Sequence, residues 1–139
     1  MVWSCLVSIL PGMAQTEKLT DYVNPFVGTD GYGNVYPGAQ IPFGGIQMSP
    51  DTDSRFYDAA SGYKYNHLTL MGFSLTHLSG TGIPDLGDFL FIPGTGEMKL
   101  EPGTHEDPDK GYRSRYSHDK EWASPNYYAC LLYTSPSPR

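Results

Sequence analysis

"LMGFSLTHLSGTGIPDLGDFLFIP", residues 70–93, places two short apolar runs on either side of a connection built from three glycines, a proline and two aspartates. Each run is too short for a helix of ordinary length and carries the aromatic and aliphatic residues that suit a pleated strand. No helical repeat follows the glycines, so the stretch reads as strand, shaped loop, strand.

The same punctuation governs the rest of the chain. "DYVNPFV", "IPFGGIQMSP", "SGYKY", "EMKLEP", "GYRSRYSH" and "NYYACLL" recur between Gly, Pro and Asx residues, and each predicts a strand. In "YRSRYSH", Tyr112, Ser114 and Tyr116 alternate with Arg113 and Arg115, which predicts tyrosines on one face and guanidiniums on the other. "GTDGYGNVYPGA", residues 28–39, matches neither period and predicts a long loop shaped by glycine torsions. With 139 residues, 16 glycines, 12 prolines and 11 tyrosines, the composition fits one turn-rich, all-β domain.

A formal net charge of -6 argues against nucleic acid or an anionic lipid surface as partner, because both recruit basic faces. At the N-terminus, "VWSCLVSIL" followed by "PGMA" and "QTEKLTDY" has the order of a secretory signal, so residues 1–14 are expected to be a signal peptide cleaved near Ala14. The apolar run is too short to span a bilayer. At the other end, "CLLYTSPSPR" back-translates without mismatch to TGT CTC TTA TAC ACA TCT CCG AGC CCA CGA, which resembles a transposase end and sequencing adapter. On that reading residues 130–139 are adapter read-through, and the domain between them, residues 19–129, holds no cysteine.

Several chemistries fail on spacing. Ser79 in "LSGTG" lacks the helix that a nucleophile elbow requires, and "SGTGIPDLGD" runs into Pro84 where a phosphate loop would open a helix. His67, His77, His105 and His118 are too scattered for a local zinc motif, and a histidine such as His77 predicts a hydrogen-bonded structural role. Asp51 with Asp53, and Asp107 with Asp109, lack the glycine and distal glutamate of a calcium loop and predict Asx turns. No metal ligand is therefore assigned. What remains is a surface for a neutral polar ligand. Arg55, Phe56, Tyr57, Asp58, Tyr63, Tyr65 and Asn66 mix aromatic platforms with planar hydrogen-bonding groups, as sugar sites do.

At these residues a family resemblance emerges. "YVNPFVGTDGYGNVYPGAQIPFGGIQMSPDT", "SGYKY", "MGFSLTHLSGTGIPDLGDFLFIPGTGE" and "GYRSRYSHDKEWASPNYY" resemble, in order, the N-terminal domain of glycoside hydrolase family 92, the calcium-dependent exo-acting α-mannosidases. The resemblance implies an antiparallel β-sandwich that packs against an (α/α)₆ barrel, with the active site at the junction. It also implies a secreted or periplasmic enzyme acting on α-mannoside glycans, such as N-glycans and mannans, with inversion.

By the same resemblance, both catalytic carboxylates and most calcium ligands belong to the barrel, outside this chain. Phe26, Gly28, Arg55, Tyr57 and Asp58 would help bind substrate. The hydrogen-bonding capacity of Asp85, Asp88 and His77 on their glycine-shaped connection predicts that they hold neighbouring loops and the domain junction. Where members cleaving α-1,2 linkages carry "GWDGCSGY", this chain has Tyr57 for the tryptophan and Ala60 for the cysteine. The linkage therefore stays open. The reading from a different functional class is a stand-alone sugar-binding or structural sandwich without catalysis.

Overall fold

The computed structural model describes residues 17–41, 43–53, 57–80, 83–85 and 87–133. The expected signal segment, Arg55 and the end of the C-terminal tail lie outside the described residues.

The chain is all-β, of the β-sandwich class, and among the described residues every strand pairing is antiparallel. Among the described residues seven short strands form three sheets. β1 (Ser49–Asp51), β3 (Gly72–Ser74) and β4 (Leu90–Phe91) lie in the order β1-β3-β4. β2 (Thr69–Leu70) pairs with β5 (Ser114–Arg115), and β6 (Glu121–Ser124) with β7 (Tyr127–Cys130). Pro50 stands opposite Phe73 in the ladder. A proline cannot donate to a second neighbour, and it is tolerated here because β1 is an edge strand.

Three predicted strands take other forms. In "DYVNPFV" the Asn24 side chain accepts a hydrogen bond from the Phe26 amide at 3.0 Å, and the Val27 amide bonds Asn24 O, so an Asx turn replaces the strand. "SGYKY" stays irregular because its groups serve neighbouring loops. "EMKLEP" leaves Met98 and Leu100 exposed, and its downstream backbone is taken by Tyr112 and Arg113, whose amides bond Glu101 O and Pro102 O.

The alternation predicted for "YRSRYSH" also breaks. Arg115 faces solvent as expected, but Arg113 is 4% exposed, with its guanidinium donating to Thr52 O and to Thr69 Oγ1. The carbonyl and hydroxyl acceptors on that side, with the Asp53 carboxylate 4.0 Å from Nη2, make burial of this cation tolerable.

The core is built on tyrosine. Tyr36, Tyr63, Leu70 and Tyr116 form its buried centre, with Phe26, Phe73, Cys130 and Leu132 packed against it. A buried phenol must place its hydroxyl, and each one does: Tyr36 donates to Gln40 Oε1 at 3.1 Å, Tyr116 to His67 O at 2.9 Å, and Tyr63 to Glu121 Oε1 at 2.9 Å.

Glu121 is the strongest of these receivers. Its Oε1 also accepts from Tyr128 at 2.6 Å, and its Oε2 lies 2.6 Å from His118 Nδ1. The buried carboxylate thus ties the β6–β7 hairpin to Tyr63. Burial first, with neighbouring Tyr116 and Glu121, pushes the Tyr63 phenol far above its usual range; burial and Glu121 do the same to Tyr128.

Replacing Glu121 by alanine strands these buried donors, so Glu121→Ala is expected to lower the unfolding free energy by about 3 kcal/mol. Glu121→Gln, which keeps an acceptor, should cost less. Urea denaturation of the two variants beside the unaltered protein measures both.

Candidate functional site

Two exposed aromatic rings converge on one surface. Tyr57 opens the 3₁₀ turn Tyr57–Ala59, and its ring centroid lies 6.0 Å from that of Tyr32, which sits on the glycine-rich loop. Both rings are exposed. Beneath them the loops are stitched together: Lys64 Nζ donates to Gly31 O at 2.9 Å and stands 5.8 Å from the Tyr32 ring centroid, while the Tyr65 amide donates to Thr29 O at 2.9 Å. Exposed ring faces held on fixed loops are what a sugar's C–H face stacks on.

The other predicted binding residues divide between this surface and its support. Asp58 lies in the same turn as Tyr57. Gly28 has φ +84°, a left-handed conformation that permits the tight turn leading to Tyr32. Phe26 does not reach the exposed pair. It is partly buried, with its ring 6.3 Å from Tyr63 and 5.8 Å from Tyr65, and so packs on the core. Tyr32, by contrast, was not singled out in the sequence, although the loop that carries it was.

The support is a buried polar run, Asp51-Thr52-Asp53, whose members are 4%, 0% and 2% exposed. This corrects the Asx-turn expectation, since these side chains point at partners far along the chain. Asp51 Oδ1 lies 3.0 Å from His77 Nε2. Thr52 Oγ1 accepts from the Lys64 amide at 2.9 Å and lies 3.0 Å from His67 Nδ1. Asp53 Oδ2 lies 3.3 Å from His105 Nε2 and 4.0 Å from Arg113 Nη2.

His77 takes the structural role expected of it. Its Nδ1 bonds Gln47 O at 2.8 Å, its amide donates to Gln47 Oε1 at 3.0 Å, and Ser74 Oγ lies 3.0 Å from Nε2. Asp88 accepts from Thr76 Oγ1 at 2.9 Å, closing the 76–88 loop. Asp85 lines a small cavity of about 80 Å³ together with Asp51, Ser61, Gly62, Ser74 and His77. Although serine, histidine and aspartate meet here, Ser74 and Asp51 both approach Nε2, so the ring cannot take a proton from one while held by the other through Nδ1. The arrangement is a brace.

Among the described residues, no three His, Cys, Asp or Glu side chains converge as a metal centre requires. Nor is any helix among them long and apolar enough to cross a membrane.

Comparison with known proteins bears directly on this surface. Residues 22–135 match the family model described as "Glycosyl hydrolase family 92 N-terminal domain". The structure of the family GH92 alpha-mannosidase BT3965 from Bacteroides thetaiotaomicron is similar over 84% of this chain and 16% of its own length, at 96% identity and TM-score 0.81. The gh92 family glycosyl hydrolase ccman5 is similar over 83% of this chain and 14% of its own, at 33% identity and TM-score 0.66. An uncharacterized secreted glycosidase of Arthroderma benhamiae is 36% identical over 73 residues, which is 52% of this chain and 9% of that protein. The chain therefore spans only a small part of the relatives it matches.

The acid side of the support is testable. Burial, and then the Arg113 charge, lower the pKa of His105 below its ordinary 6.5, against the opposing pull of Asp53. Below pH 6.5 the unfolded chain then binds more protons at this site than the folded one, so stability falls as pH drops through and below that value. His105→Gln is expected to flatten this segment of the stability-against-pH curve, read from thermal melts at successive pH values.

Proposed function

The chain belongs to glycosyl hydrolase family 92, as its N-terminal domain, and on that premise we propose that it forms one wall of the substrate site in a secreted or periplasmic exo-acting α-mannosidase. The observation that carries this reading is the exposed Tyr32–Tyr57 pair, fixed on two stitched loops within a domain 96% identical to part of a solved alpha-mannosidase. That relative has also been solved in complex with mannoimidazole.

The substrate proposed is a terminal α-mannoside of an N-glycan or mannan. Cleavage with inversion needs a carboxylic acid that protonates the departing glycosidic oxygen. A carboxylate on the opposite face takes a proton from the water that attacks the anomeric carbon, and about 6.5–9.5 Å separates the two groups. Both are assigned to the (α/α)₆ domain, outside this chain. The part given to this chain is binding: Tyr57 and Tyr32 stack on the sugars, and Asp58, in the same turn as Tyr57, is assigned to the substrate by the family resemblance alone.

Calcium is proposed as the enzyme's metal, where it would grip mannose hydroxyls. The described residues do not by themselves make a shell for it, so its ligands are assigned to the partner domain and no step of this chain is routed through it. Tyr57 offers a smaller stacking face than a tryptophan would, which is consistent with linkages other than α-1,2.

Full-length enzyme containing this domain is expected to release mannose from α-mannosides, first as the β-anomer in proton NMR, and to lose activity on calcium chelation. Tyr57→Ala should lower kcat/KM by roughly 10-fold through lost stacking. No release of mannose from any α-mannoside, or release of the α-anomer first, would overturn the proposal.

A further inference from the structure

The buried polar run meets the binding loop at Gly62. Its φ is +90°, and a Cβ placed there would come within 2.2 Å of Asp51 Oδ1 and 3.1 Å of the His77 ring. Only glycine allows the loop to lie so close to the carboxylate. On its other side Gly62 closes the aromatic turn: its amide donates to Ala59 O at 2.9 Å, while its carbonyl accepts from the Thr52 and Asp53 amides at 2.7 and 3.1 Å. The end of the loop is thus clamped onto residues 51–53, and Asp51 is the group pressed against it.

Asp51 is itself held on one side only. Oδ1 meets His77, whereas Oδ2 is buried with no hydrogen-bond partner among the described residues. The orientation of the carboxylate therefore depends on the imidazole. That ring is fixed by Gln47 O at Nδ1, by Ser74 at Nε2, and by the Tyr36 ring 4.8 Å away, while the His77 amide donates separately to Gln47 Oε1. Because Nδ1 faces a carbonyl and Nε2 faces a carboxylate oxygen, both nitrogens meet acceptors, and the ring has one way to sit.

We propose that the His77–Asp51 pair is a positioning element for the 57–62 loop: through contact with Gly62 it sets where Tyr57 stands against the sugar that leaves. This proposal rests on the mannosidase reading above and deepens it. The pair touches no substrate; it acts through backbone. On this proposal the loop faces the leaving sugar, so the effect falls there and spares the bond-breaking groups assigned to the other domain.

In full-length enzyme, Asp51→Ala is expected to lower kcat/KM for an α-mannosyl disaccharide by roughly 10-fold, chiefly through KM, while an aryl α-mannoside with no leaving sugar changes by less than about 2-fold. Asp51→Asn, which keeps an oxygen toward Nε2, should recover the disaccharide to within about 3-fold of the unaltered enzyme. Hydrogen exchange at the Gly62 amide should quicken in Asp51→Ala and stay slow in Asp51→Asn. If Asp51→Ala does not fold, His77→Gln supplies the same comparison.

Equal losses on both substrates, or a Gly62 amide indifferent to Asp51→Ala, would overturn this inference and leave the mannosidase reading intact. An unaltered enzyme that releases no mannose would overturn both.

Discussion

Three consecutive buried polar residues constrain this domain more than any apolar contact does. Asp51, Thr52 and Asp53 lie almost out of reach of water, and a buried carboxylate is tolerable only if it is paired and hydrogen-bonded. Meeting that demand draws in His77 on one side of the run and His105 with Arg113 on the other, while Thr52 gathers His67 and Lys64. Segments that are distant in sequence are brought together because each carries a group this run needs. The binding loops rest on the result.

The tyrosine core follows the same logic. A core of leucine and valine would close without regard to direction, whereas Tyr36, Tyr63 and Tyr116 must each aim a hydroxyl at an acceptor. That requirement compensates for the short strands. The ladders are only two to four residues long, so register is set less by strand length than by directed hydrogen bonds such as those converging on Glu121.

Much of this could be read from the residues, and the part that could not is non-local. The all-β class followed from glycine and proline punctuation, and the exposed Tyr57 from its aromatic neighbourhood and the family resemblance. The pairing of Tyr32 with Tyr57 was hidden, because the two residues are 25 positions apart and their loops are stitched by Lys64 and Tyr65 from farther along the chain. Asp51 and Asp53 look like turn formers in "SPDTDS", since a short window cannot show that His77 and Arg113 are their counterparts. Phe26 reads equally well as a platform or as core, and only its contacts with Tyr63 and Tyr65 decide for core.

The phenols around Glu121 carry one more consequence. Tyr63, Tyr116 and Tyr128 all resist ionisation, mainly because burial disfavours a phenolate, with Glu121 adding its own negative field. Once unfolded, the same residues would lose their protons near pH 10. Strong base therefore weakens the fold progressively above that value. The ultraviolet signature of tyrosinate from these three residues then emerges with collapse of the domain rather than ahead of it, so the interior acts as its own alkaline indicator.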